Sequence, residues 1–151
     1  MKKEHFYVIG VMSGTSLDGL DLALVEFNLN KGKWAYRYVS TTTNPYPDFW
    51  QKQLEDARFL EAEALAILDR DYTAYLAEQI QFFMNQNPSY TIDLVCSHGH
   101  TVHHKPDQGI TFQIGNQKEL SLFLKTTVVC DFRVQDVALG GQGAPLVPGG
   151  E

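Results

Sequence analysis

Three hydroxyls and two carboxylates fall within one short run, Met12-Ser13-Gly14-Thr15-Ser16-Leu17-Asp18-Gly19-Leu20-Asp21. That set of groups suits phosphate. Ser13, Thr15 and Ser16 can donate to phosphate oxygens, and Asp18 can hold a Mg2+ ion or its water. Gly10, Gly14 and Gly19 are expected to permit positive φ and a close approach of ligand to backbone. Consecutive N–H groups in such a turn can line a concave anion nest. Apolar runs flank it, Phe6-Tyr7-Val8-Ile9 before and Leu20 to Phe27 after, so the run reads as the tip of a β-hairpin. The plain alternative is a Gly-rich hairpin with a polar end. The run is neither G-x-x-x-x-G-K-[ST] nor a G-x-G-x-x-G that opens a helix.

A second run, Ser97-His98-Gly99-His100-Thr101-Val102-His103-His104-Lys105-Pro106, packs four of the five histidines into seven residues. As metal chemistry it is similar to the H-x-H-x-D-H loop of metallo-β-lactamase-type hydrolases, which holds Zn2+. Val102 stands where that loop has its aspartate, and no later histidine completes a site. Otherwise it is a polar loop with His103 and His104 exposed, or a carbohydrate site. A sugar needs short directional donors and acceptors, which His98, Thr101 and Asp131 supply. A third run, Asp131-Phe132-Arg133-Val134-Gln135-Asp136, leads into Gly140-Gly141-Gln142-Gly143-Ala144-Pro145. Arg133 can clamp a carboxylate or phosphate bidentately; the alternative is a local ion pair with Asp131 or Asp136. The glycines around Gln142 permit a ligand close to the backbone, and Pro145 should stiffen the exit.

The elements that must hold these runs follow from periodicity. Strands are expected at His5–Val11, Leu20–Asn28 and Lys33–Thr43, joined by hairpins, with turn chemistry at Asn30-Lys31-Gly32-Lys33. Asp48 is expected to cap a short helix through Ala57. Leu65, Leu68, Tyr72, Leu76, Ile80 and Phe83 recur at three- and four-residue steps and predict one apolar stripe on a helix from about Glu61 to Gln86. Asn85-Gln86-Asn87-Pro88 stops it. Further strands are expected at Ile92–Cys96, Ile110–Ile114 and Thr126–Cys130, with a helix near Asn116 to Leu124. Antiparallel strands first, then alternating helices and strands, give a mixed α/β sheet. Ser97–His104 and Asp131–Gln142 should leave strand carboxyl ends, where open α/β sheets bind ligands.

At 151 residues the chain reads as a single domain with room for a real core. Its net charge of −6 and lack of basic runs argue against nucleic acid or an anionic membrane as partner. Cys96 and Cys130 read as buried free thiols. The start, Met-Lys-Lys-Glu-His, lacks the apolar stretch of a signal peptide, and no apolar run approaches the ~20 residues of a membrane helix. A cytoplasmic protein is expected.

The string M-S-G-T-S-L-D-G-L-D resembles the anhydro-N-acetylmuramic acid kinases. Ser-His-Gly-His-Thr-Val-His-His-x-Pro is similar to their S-H-G-Q-T-V-x-H-x-P, with His100 in place of Gln. D-F-R-x-x-D-x-A-x-G-G-Q-G-A-P-L is similar to theirs almost letter for letter, and the three strings keep their order across the chain. The resemblance implies the ribonuclease H-like half-domain of the actin-like ATPase fold. It also implies an ATP-dependent kinase that opens 1,6-anhydro-N-acetylmuramic acid with water and phosphorylates O6, giving N-acetylmuramic acid 6-phosphate in cell-wall recycling. Gly14, Thr15, Ser16, Leu17, Asp18, Gly19, Leu20 and Asp21 would then face ATP, with Asp18 holding Mg2+ through water. His98, Thr101, Asp131, Arg133 and Gln142 would face the sugar, and Asp18 and Arg133 would support catalysis. On this resemblance residues 1–151 form a single N-terminal domain, inactive alone. The general-base aspartate and the second domain lie beyond residue 151. The implied partners are the amino sugar and the nucleotide, with room for a homodimer. The rival from another class is a non-catalytic, chaperone-like module of the same fold.

Overall fold

The structure is a computed structural model and describes residues 4–143. Three strands open it: β1 (His5–Ser13), β2 (Gly19–Asn30) and β3 (Lys33–Pro45), paired antiparallel in sequence order. The β2–β3 turn is Lys31-Gly32, with φ of 48° and 76°, the left-handed pair of a two-residue type I′ hairpin. α1 (Asp48–Asp56) follows Pro47. Pro47, not Asp48, occupies the cap position, and Asp48 is the first helical residue with no side-chain cap bond. A 3-10 turn (Ala57–Phe59) leads to α2 (Ala62–Gln86), closed by Asn87, whose Nδ2 donates to the Phe83 carbonyl at 2.9 Å.

Beyond α2 lie β4 (Leu94–Lys105), β5 (Ile110–Ile114), α3 (Glu119–Leu124), β6 (Thr127–Val129) and α4 (Val134–Ala138). The sheet runs β3-β2-β1-β4-β5, and β6 pairs with β4. The sheet is mixed as expected, but helices and strands do not simply alternate after β3, because β4 and β5 form a hairpin. Its first part, Leu94–Cys96, is parallel to both β1 and β6; its second part, from His100 to Lys105, is antiparallel to β5. Ser97–His104 is therefore sheet, not a polar loop leaving a strand tip.

α2 covers one face of the sheet. Alternate strand residues point at it, among them Ile9, Val11, Leu20, Leu22, Leu24 and Val95, and they meet Leu68, Tyr72, Leu76, Ile80 and Phe83 of the helix. The predicted stripe is the core contact, with Leu65 at its edge. Among the described residues no helix is long and apolar enough to cross a membrane. Cys96 and Cys130 are free and only half-buried. The opposite sheet face, around Gly10, Met12, Ala23, Thr41 and Cys96, borders an open concavity of ≈ 700 Å³.

Candidate functional site

The β1–β2 turn is shaped by a residue other than its glycines. Leu17 takes the left-handed conformation, φ 59°, while Gly10, Gly14 and Gly19 are not among the positive-φ residues. Leu17 is pinned three ways. Its N–H donates to the Gly14 carbonyl at 3.3 Å, its carbonyl accepts from Gln51 Nε2 at 3.2 Å, and its side chain packs against the core. Gly19 is glycine for a packing reason, since a Cβ there would lie 2.7 Å from the Asn44 carbonyl oxygen on β3. Leu20 is wholly buried between its sheet partners Ser13 and Asn44 and faces the core, which corrects its expected place against ATP.

What the turn offers a ligand is narrower than the sequence implied. Thr15 is exposed, and neither its N–H nor its hydroxyl has a partner among the described residues. Ser16 presents its N–H, while its hydroxyl donates to Asp18 Oδ1 at 2.7 Å. That bond, helped by the backbone N–H groups of Asp18 and Gly19, holds the exposed Asp18 carboxyl below its ordinary value. Asp21 accepts from the Thr43 hydroxyl at 2.5 Å. An ionised, exposed carboxylate beside free N–H donors fits Mg2+ and phosphate oxygens. Ser13 does not join them. It is 2% exposed and turns inward, correcting its assignment as a phosphate donor.

Ser13 belongs to a buried chain of polar groups. Tyr46 donates its hydroxyl to Ser13 Oγ at 2.7 Å; Tyr46 and Tyr72 hydroxyls lie 2.6 Å apart; Ser13 Oγ lies 3.0 Å from His100 Nδ1. Four elements are tied in this way: α2, the β3–α1 junction, β1 and β4. Desolvation, with His98 nearby, drives His100 down from 6.5 to about 4. As pH falls from 7 to 5 the unfolded imidazole binds a proton that the folded one refuses, so stability falls with pH through this window. The shortfall at pH 5 is about 2 kcal/mol, from ~1.4 kcal/mol per unit below the unfolded value. Urea titrations should show His100→Gln losing about that much less between pH 7 and pH 5 than the natural chain.

A bulge decides where the histidines point. Between Val11 and Ser13 on β1, β4 spends one extra residue, at Gly99 with φ 71°. His98 shares the open side of the sheet with Cys96, while the extra residue turns His100 inward. His98 Nδ1 lies 2.9 Å from the Gly99 carbonyl, and Arg133 Nε donates to His98 Nε2 at 2.9 Å. Burial, opposed by the Gly99 bond and assisted by the Arg133 charge, lowers His98 and keeps it neutral. Arg133 makes no ion pair with Asp131 or Asp136 among the described residues; its terminal nitrogens remain available. Asp131 Oδ1 instead accepts from Asn116 Nδ2 at 2.9 Å, and Asp136 Oδ2 accepts from the Gly143 N–H at 2.7 Å.

Thr15, His98, Thr101, His104 and Arg133 line one cavity of ≈ 240 Å³. Two of the five expected sugar residues stand apart from it. Asp131 is exposed on Asn116, and Gln142 is exposed in the segment that Asp136 ties down. Pro145 lies outside the described residues. His103 and His104 are half-buried on β4, not exposed on a loop, and His104 Nδ1 lies 3.2 Å from the Thr111 hydroxyl. With His98, His100 and His104 each engaged by a different neighbour, no group of three His, Cys, Asp or Glu among the described residues could hold a metal ion. That arrangement removes the basis of the zinc reading.

Sequence reasoning missed Tyr46, Tyr72, Gln51 and Asn116. Asn116 donates to both the His98 carbonyl and Asp131, yet alone in sequence it reads as a helix start. Tyr46 lies in the Asn44-Pro45-Tyr46-Pro47 break, whose prolines are the louder signal.

The sequence model of the family described as anhydro-N-acetylmuramic acid kinase matches residues 6–151. Among curated relatives of that name, the Rhodopseudomonas palustris protein is 41% identical over 148 residues, covering 93% of this chain and 40% of that relative. The Pseudomonas syringae pv. tomato protein is 37% identical over 148 residues, and the Shewanella loihica protein 38% over 152. They cover 95% and 96% of this chain, and 39% and 40% of their own lengths. The chain thus spans about two fifths of the relatives it matches.

Proposed function

Because the chain belongs to the anhydro-N-acetylmuramic acid kinase family, we propose that it forms the N-terminal, actin-like half-domain of an ATP-dependent kinase acting on 1,6-anhydro-N-acetylmuramic acid. The reaction is the opening of the anhydro bridge by water at the anomeric carbon, with phosphorylation of the freed O6. The observation that carries this reading is the ≈ 240 Å³ cavity in which Thr15, from the phosphate turn, meets His98, Thr101 and Arg133, from the sugar strings. A phosphoryl acceptor must reach both groups at once.

Each residue has a task in that reading. Thr15 and Ser16 N–H groups hold phosphate oxygens, while Leu17, fixed by Gln51 and the core, keeps the turn open. Asp18 carries the negative charge that binds Mg2+ through water. Mg2+ and ATP supply charge neutralisation and the γ-phosphoryl group. Arg133 takes the lactyl carboxylate with its terminal nitrogens, and neutral His98 orients it by accepting from Nε. Thr101 donates to sugar hydroxyls. The base that activates water comes from outside these residues. The partners are small molecules, the setting the cytoplasm, and a homodimer belongs to the same proposal.

The test compares this chain with a full-length relative in a coupled assay containing ATP, Mg2+ and the anhydro-sugar. The relative should turn over and the 151-residue chain should not. Measurable turnover by the chain alone would mean that the cleft needs no second half.

A further inference from the structure

β3 is the outermost strand of the sheet and pairs with β2 alone. Every second N–H and C=O along it therefore points away from the sheet, toward no strand among the described residues. Trp34, Tyr36 and Tyr38 alternate along this strand on one face and are 59%, 66% and 63% exposed. They form a continuous ladder with Phe27. Its ring centroid lies 6.4 Å from that of Trp34 and 6.2 Å from that of Tyr36, and Tyr36 lies 5.9 Å from Tyr38. Single exposed rings are ordinary, but a contiguous row of them on an open edge marks an interface.

Edge strands are normally guarded by proline, lysine or other free charge. Lys33–Asn44 contains no proline, and its two cations are Lys33, at the hairpin end, and Arg37. Arg37 is not free: its Nη2 lies 2.6 Å from Glu26 Oε2, and its Nε donates to the same oxygen at 2.9 Å. The bulge at Val39 leaves Lys33–Tyr38 as regular strand. This run is remote from the cleft. The β2–β3 ladder begins at Gly19 and Pro45, beside the phosphate turn, and ends at Asn30 and Lys33. Tyr38 to Asn44 alone spans about 20 Å, so a domain closing over the cleft meets the other end of the ladder.

We propose that β3 pairs antiparallel with β3 of a second copy about a two-fold axis at Tyr36, joining the two sheets into one. The inference rests on the homodimer reading given above and assigns it a surface. In this register Trp34 stands opposite the partner's Tyr38. Ala35 stands opposite the partner's Arg37, whose charge its own glutamate already balances. The rings of both copies share one face, where cross-strand aromatic pairs are favourable. Each of the three exposed rings leaves roughly 100–150 Å² outside. Together they supply about two thirds of the ~600 Å² per copy that a small specific interface buries, and the strand backbone with Lys33, Ala35 and Arg37 supplies the rest.

Sedimentation equilibrium of the 151-residue chain tests this. Between about 1 and about 100 μM, where an interface of this size dissociates, the mass should approach twice that of one chain. Tyr36→Lys sets two ammonium groups face to face at the axis. It should weaken association at least about 30-fold, the size of a lost interface hot spot, with the circular dichroism unchanged. Oxidised Tyr36→Cys should form a disulfide-linked dimer, because residues facing across an antiparallel pair hold Cα atoms about 4.5–5.5 Å apart. Leu122→Cys, on α3 and 68% exposed, should link no more than the natural chain. A monomer throughout overturns the proposal together with the homodimer. A dimer that survives Tyr36→Lys, or that links no faster through Tyr36→Cys than through Leu122→Cys, overturns this surface and leaves the homodimer standing.

Discussion

Gly99→Ala should remove about 3 kcal/mol of folding stability. Two independent costs add. The residue sits at φ 71°, where a side chain costs roughly 1–2 kcal/mol. A Cβ would also lie 2.5 Å from the Ile114 carbonyl oxygen and 2.9 Å from the Asn116 side chain. Ile114 is paired to His100 in the sheet, so that oxygen cannot swing aside, and overpacking of this kind costs about 1–3 kcal/mol. Against the ~5–15 kcal/mol that holds a domain together, the loss is large. Gly109 provides the control. Its φ is 70°, but a Cβ there meets nothing within 4 Å, so Gly109→Ala should cost only the conformational part. Urea midpoints decide the matter, and equal losses in the two variants would refute the role given to close packing.

How far the site could be read in advance depended on whether its signal was local. The three hairpin strands and the α2 stripe follow from period-2 and period-3.6 patterns, each carried by neighbouring residues, and both survive in the structure. β4 does not follow. Its second half is polar, and its register shifts twice, at Gly99 and again between Thr101 and His103, so no alternation remains to be seen. The glycines of the phosphate turn suggested positive φ, but Leu17 takes that conformation and Gly19 serves the approach of β3. Ser13 looked like a donor to ligand because its partners are remote in sequence. His100 lies 87 residues away and Tyr46 33, and nothing local announces either bond. Arg133 was singled out as a clamp for a carboxylate or phosphate, with a local aspartate as the alternative partner; its neighbour in the structure is His98, 35 residues back, and not a nearby aspartate.

In a kinase of the relatives' full length carrying these residues, Asp18→Asn should lower turnover by roughly 10²–10³-fold, the loss typical when one charge-stabilising group is removed from a transition state. The substitution isolates charge from shape. Asparagine retains an oxygen to accept from Ser16, so the turn that Leu17, Gln51 and Gly14 hold should keep its form. Asp18 is exposed and outside the core, so stability should change by less than ~0.5 kcal/mol. The carboxylate is ionised at neutral pH, the Ser16 hydroxyl further favours its charged form, and asparagine cannot carry that charge. If Asp18 acts on Mg2+, the loss should fall mainly on kcat, and raising Mg2+ should recover part of it. Ser16→Ala offers a graded version. Without the hydroxyl the Asp18 carboxyl returns toward its ordinary value, so activity should decline at a higher pH on the acid side than in the natural enzyme. Asp18→Asn with unchanged turnover, in a chain whose thermal unfolding is also unchanged, would refute the metal role and return the turn to the status of a polar hairpin end.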